Sequence, residues 1–179
     1  MTREVKVVPY NNEWTKMYDL EVARLREVLG NEIVSAFHIG STSIPGMSAK
    51  PIIDILLEVK SISKLDDYNN AMIGLGYNPR GELGIPGRRY FSKDDPSGIR
   101  SHHVHAFQSG DIGLERHLAF RDYMIVHSKD AQQYAQLKLD LAETFRWDID
   151  GYCDGKDSFV AEMEKKALLW YRSLKNTGQ

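Results

Sequence analysis

Apolar positions along this chain follow two periods, and the period switches from one segment to the next. Trp14, Tyr18, Val22, Leu25 and Leu29 recur three or four residues apart, the stripe of an amphipathic helix. Asn11 or Asn12 stands where an N-cap belongs, and Gly30 stands where the helix should stop. Ile33 to Ile39 is short, apolar and rich in β-formers, so it reads as a strand. Pro51 to Val59 reads as another, with Ile53, Ile55, Leu57 and Val59 on one face. Side chains alternate in a strand, so Asp54, Leu56 and Glu58 share the opposite face. Ile62, Leu65, Tyr68, Met72 and Leu75 form a second helical stripe, closed by Gly74 or Gly76.

The pattern then turns back to strands. Leu83 to Gly87 is a glycine- and proline-marked turn leading into a strand at Arg88 to Phe91, and Asp94 to Gly98 has turn composition. Ile99 to Phe107 alternates, with Ser101, His103, His105 and Phe107 on one face and His102, Val104 and Ala106 on the other. From Asp111 the period is helical: Leu114, Leu118, Arg121 and Ile125, then Tyr134 to Phe145, then Phe159 to Leu174. The polar stretch Asp148 to Asp157, with two glycines, is expected to be a loop. This order predicts an α+β fold with a mixed β-sheet flanked by helices and a helical C-terminal region. One domain is expected over 1–179, with an α/β core over 1–110 and a helical part over 111–179.

Composition narrows the classes. A chain of 179 residues is long enough for one full core. A formal charge of −2 provides no broad basic footprint for nucleic acid. Cys153 is the only cysteine, which excludes an intrachain disulfide and leaves nitrogen and oxygen as metal donors. Met1 to Tyr10 has no apolar signal region, and no run approaches the roughly 20 apolar residues of a membrane span. The expectation is a soluble cytoplasmic protein that uses no membrane; its oligomeric state is left open.

Candidate chemistry concentrates between Phe37 and Ile55. An apolar run ends at Gly40-Ser41-Thr42, a loop continues to Lys50, and a second apolar run carries Asp54 in its middle. A Gly-Ser turn lets backbone N–H groups approach a phosphate. A carboxylate on the adjoining strand is placed to hold a divalent ion beside that phosphate. The alternative is a tight strand–loop–strand connection in which Asp54 anchors the loop. His103 and His105, two apart on a strand, lie about 6.7 Å apart on one face and can converge on one ion. Otherwise one of them is a core histidine, as His102 is expected to be. Lys50, Arg88 and Arg89 sit at loop–strand junctions, where cations suit phosphate recognition; a solvated arginine pair is the alternative. Arg116 and Arg121 flank His117 and either line the same cleft or pair with Glu115 and Asp122.

On these residues the chain resembles the GrpB family, bacterial proteins of the nucleotidyltransferase (DNA polymerase β-like) superfamily. The segments that carry the resemblance are Pro9 to Trp14, His38 to Gly46, Ala49 to Ile55, Gly84 to Arg89, His102 to His105 and His117 to Tyr123, in the family's order over nearly the whole chain. The resemblance implies a Gly-Ser turn for a nucleoside triphosphate, and two or three carboxylates holding two metal ions for in-line nucleotidyl or phosphoryl transfer. Here Asp54 is present, but Leu56 occupies the partner position. Glu58 shares the face about 13 Å away, too far to join metals about 3.5–4 Å apart. Under the resemblance, Gly40, Ser41 and Thr42 with Lys50, Arg88 and Arg89 bind phosphate, and Ser41 and Asp54 are catalytic. Asp54, His103 and His105 hold a divalent ion, magnesium first, with manganese or zinc as alternatives. The partner is a nucleotide or another phosphate-bearing small molecule. A non-catalytic binding module on the same fold is the second expectation, with a link to coenzyme A because some relatives are fused to dephospho-CoA kinase. A metal-dependent hydrolase built on the histidines is the third.

Overall fold

The computed structural model describes residues 3–178; Met1, Thr2 and Gln179, the ends of the expected 1–179 unit, lie outside the described residues. Helix α1 (Glu13–Leu29) forms where the first stripe predicted it. The Asn11 side chain accepts the Glu13 N–H at 2.9 Å, and Gly30 ends the helix at φ +53°. Strands β1 (Ile33–Ile39) and β2 (Ile53–Val59) pair antiparallel, with Ile39 opposite Asp54. The next stripe folds as two short helices, α2 (Ile62–Leu65) and α3 (Asn69–Gly74), joined by a tight turn over Asp66–Tyr68. An edge strand, β3 (Tyr77–Pro79), follows; three residues are too few to reveal a period.

Strands β4 (Arg89–Asp94) and β5 (Arg100–Gln108) complete a five-stranded mixed sheet of order β1-β2-β5-β4-β3. Only the central β2–β5 pair is parallel. One sheet face packs Ile53, Ile55, Leu57, Val59, Val104 and Ala106 against Trp14, Leu25 and Leu29 of α1 and Leu65 and Met72 beyond it. Each buried Val, Ile, Leu or Met side chain here contributes on the order of 1.5–3 kcal/mol. This face also buries Glu21, whose carboxylate accepts from Tyr77 Oη (2.8 Å) and Lys93 Nζ (2.7 Å).

Three C-terminal helices follow: α4 (Ile112–Val126), α5 (Ser128–Thr144) and α6 (Ile149–Thr177). The expected loop at Asp148 to Asp157 is instead the first turns of α6. Asp148 caps this helix by accepting the Gly151 N–H at 3.0 Å. The two glycines are there for close packing. A Cβ on Gly151 would stand 2.5 Å from the Phe145 ring, and one on Gly155 would run into Leu141 of α5. Asp154 and Asp157 are simply the exposed side of the helix. Among the described residues no helix is long and apolar enough to cross a membrane.

Candidate functional site

The second sheet face carries the polar residues. Gly40 leaves β1 at φ +73°, ψ −177°, a conformation essentially confined to glycine. It is required sterically as well, since a Cβ there would stand 2.5 Å from Asp54 Oδ2. A tight turn over Ser41–Ser43 follows, fastened by the Ser43 hydroxyl and N–H, both donating to the Gly40 carbonyl. Thr42 is buried; its hydroxyl donates to the Ile52 carbonyl (3.3 Å) and lies 3.0 Å from His38 Nε2, so it braces the loop.

The parallel pairing of β2 with β5 sets His103 beside Asp54 and His105 beside Leu56. Asp54 Oδ1 lies 3.1 Å from His103 Nδ1 and 3.2 Å from His105 Nε2. The expected convergence of these three residues is therefore present in the geometry. Burial would push the Asp54 carboxyl up, but the bonds from His103 and His105 outweigh it and hold the group far below the usual carboxylate range. Leu56 is fully buried with Ile39, Phe107 and Leu114 of α4. The position where a second carboxylate would stand is thus part of an apolar cluster.

The arginines separate. Arg89 faces the other side of the sheet, since its neighbour Tyr90 takes the register position opposite His105. Its guanidinium forms a fork on Asp66 at 2.7 and 3.1 Å. The structure does not bring Arg89 to the Asp54 side, where it was expected to meet phosphate. Arg88 does lie on that side, but it donates to the Glu82 and Leu83 carbonyls (3.1 and 2.9 Å) and covers the Tyr90 ring. Arg100, not foreseen, places Nη1 3.2 Å from His103 Nε2 while its Nε donates to Asp94 at 2.6 Å. Arg121 pairs with Asp122, and Glu115 pairs with Arg172 rather than Arg116. His117 is half-buried against the His105 and Phe107 rings, and desolvation pushes it down to about 3.

Beside Asp54 opens a cavity of about 220 Å³. Its floor is Gly40, Ser41, Lys50, Asp54 and His103; its far wall is Tyr134 and Lys138 of α5 with Tyr152 and Lys156 of α6. Those four wall residues went unrecognised in the sequence. Their signal was a repeated Tyr-x-x-x-Lys, which puts ring and ammonium on one helix face. Reading the start of α6 as a loop hid the second copy.

Lys138 Nζ donates to the Ser48 carbonyl at 2.6 Å and lies 4.7 Å from the Tyr134 ring centre. The Tyr152 ring is flanked by Lys50 at 5.0 Å and Lys156 at 4.6 Å. Burial pushes the ammonium groups of Lys50 and Lys156 down. Lys138 is pushed down to about 7, first by burial and then by Lys156 and Lys50. Among the described residues no ion pair includes any of the three. Three desolvated, mutually repelling ammonium groups around one cavity are an arrangement that an anion would relieve.

One carboxylate and two imidazoles, with ligand atoms within 4.8 Å of one another, fit a single divalent ion. They do not fit a pair of ions bridged by carboxylates.

The GrpB protein family profile matches residues 4–166. UPF0157 protein YqkA of Bacillus subtilis is 45% identical over 174 residues, which cover 97% of this chain and 50% of that protein; the chain spans half its length. The crystal structure of conserved protein GrpB from Enterococcus faecalis superposes with a TM-score of 0.88 at 39% identity, over 93% of this chain and 99% of that one. A dephospho-CoA kinase of Mycolicibacterium paratuberculosis is 25% identical over 192 residues, covering 93% of this chain and 46% of that protein. Cid1 in complex with its short product ApU superposes with a TM-score of 0.50 at 11% identity, over 74% of this chain and 42% of that one. At that identity the likeness speaks for the fold alone, which is nucleotidyltransferase-like. With a profile match over most of its length and a near-superposable structural relative, the chain belongs to the GrpB family.

Proposed function

We propose that this protein binds a nucleotide or another phosphate-bearing small molecule together with one divalent ion, and transfers a nucleotidyl or phosphoryl group. The observation that carries the reading is the joining, in one cavity, of the Gly40-Ser41 turn, three unpaired lysines and the Asp54–His103 edge. The cavity is below the roughly 300–1,000 Å³ that encloses a drug-sized ligand. It suits the phosphate portion of a ligand whose remainder lies outside.

In this reading Lys50, Lys138 and Lys156 neutralise phosphate charge, and the Ser41 turn orients the group. Asp54, His103 and His105 hold the ion. Two imidazole donors favour zinc over magnesium. A bound ion would polarise a phosphoryl oxygen and offset charge developing on it. Because strand and C-terminal helix residues share the cavity, 1–179 is taken as one functional unit. The second reading, a non-catalytic binding module, is favoured by Leu56, whose apolar packing leaves one carboxylate where the superfamily's two-ion chemistry uses two or three. The likeness to dephospho-CoA kinases makes coenzyme A precursors ligands to include.

Calorimetric titration of a nucleoside triphosphate and of dephospho-CoA, each with Mn²⁺, Zn²⁺ or Mg²⁺, tests binding. Asp54→Asn should weaken ion affinity at least tenfold and abolish any transfer measured by product chromatography. Unchanged ion affinity in that variant, or no phosphate ligand bound under any condition, would refute the proposal. Tight binding without turnover selects the binding module.

A further inference from the structure

His103 faces two partners of opposite kind. Its Nδ1 lies 3.1 Å from Asp54 Oδ1, and its Nε2 lies 3.2 Å from Arg100 Nη1. A guanidinium carries donors only, so Nε2 must accept from it. The ring hydrogen then sits on Nδ1 and points at Asp54. To ligate an ion through Nδ1, the nitrogen beside Asp54, the ring needs the reverse. Its ligating nitrogen offers a lone pair, and its other nitrogen donates to a carboxylate, carbonyl or water. His105 repeats the arrangement loosely, since its contact to Arg88 is 3.5 Å, beyond the usual range for such a bond.

We propose that Arg100 gates the metal site. While its guanidinium sits against His103, the ring stays in the tautomer that donates to Asp54 and cannot ligate; ion capture requires Arg100 to leave. This rests on Asp54, His103 and His105 being the ion site.

The surroundings suit a movable group. Arg100 is the register partner of Asp94 at the one irregular step of the β4–β5 ladder. Its side chain is 25% exposed. Its Nε is held by Asp94 Oδ1 at 2.6 Å, while Arg3 holds the other Asp94 oxygen at 3.1 Å. Asp94 can therefore keep its hold on Nε while the guanidinium turns and takes Nη1 off His103. The charge of Arg100 also repels a cation, so the experiment must separate charge from tautomer.

Zinc affinity should be measured by chelator competition for the full chain as wild type, Arg100→Lys, Arg100→Met and Arg100→Gln. Lysine keeps charge and donors and should behave as wild type. Methionine removes both and should bind more tightly. Glutamine also removes the charge, but its carbonyl can accept from Nε2–H, so it should bind roughly tenfold more tightly than the methionine variant. Nitrogen-15 NMR of the metal-free wild type should show His103 protonated at Nδ1, and addition of zinc should move the hydrogen to Nε2. Zinc affinity no higher in Arg100→Met than in the wild type, or a metal-free ring already protonated at Nε2, would overturn the gate while leaving the ion site standing. If none of the four proteins binds zinc, the ion site falls and the gate with it.

Discussion

Replacing Lys138 with methionine should make the protein more stable at pH 7 and less stable at pH 10. In the unfolded chain this lysine stays charged until about 10.5, whereas in the fold it is charged only below about 7. Between those values the unfolded chain binds the extra proton, so stability rises with pH across the window and is lowest at pH 7 and below. The gap corresponds to a cost of roughly 4 kcal/mol at pH 7. Lys138 also donates to the Ser48 carbonyl at 2.6 Å; removing that donor leaves a carbonyl unpaired, at about 1–3 kcal/mol. Methionine keeps the length of the chain and removes both contributions. The net expectation is a gain of roughly 1–3 kcal/mol at pH 7 and a loss of similar size at pH 10, where the lysine is already largely neutral. Urea unfolding midpoints at the two pH values read this directly. Sulfate, fully ionised throughout, serves as an anion probe: it should raise the wild-type melting temperature more as pH falls through 7, and raise that of the variant less. A variant destabilised equally at both pH values would refute the idea that this ammonium is held at a cost for an anion.

Two further substitutions test the geometry. Gly40→Ala adds backbone strain of about 1–3 kcal/mol and displaces Asp54 Oδ2, so urea unfolding should show a loss of roughly 3–5 kcal/mol; a loss below about 1 kcal/mol would refute the close approach of Gly40 to Asp54. Arg89→Gln removes a pair with a half-exposed Asp66 on the far sheet face, so stability should move by less than about 1 kcal/mol and triphosphate affinity should stay within twofold in calorimetry. A tenfold loss of affinity would place Arg89 in the site after all.

The strands and their pairing were legible because burial on one face imposes a period of two, as at Ile53, Ile55, Leu57 and Val59. Asp54 was legible as an exception to that apolar run, and His103 and His105 through their shared spacing. What the sequence could not reveal came from contacts between distant segments. Arg88 and Arg89 are adjacent and chemically alike, yet the alternation that begins as the chain enters β4 at Arg89 sends them to opposite faces. Lys138 and Lys156 were not singled out, because nothing local says that α5 and α6 close over the Gly40 loop. The start of α6 was misread because glycine is a turn signal in isolation and a packing device between helices. Glu21 carries no local sign of its burial for a related reason: its partners Tyr77 and Lys93 lie 56 and 72 residues away.

The lone parallel pairing in the sheet has a kinetic consequence. Asp54 meets His103 and His105 only when segments 49 and 51 residues apart are brought side by side. Closing so long a loop is slow relative to forming hairpins or helices. The antiparallel pairs β1–β2 and β4–β5 can each form from nearby chain. The site is the seam where these two halves dock. During synthesis Asp54 therefore emerges well before its partners. A refolding experiment that follows the His103 and His105 ring signals should find them reaching native positions with the slowest phase, after most of the helical signal has returned.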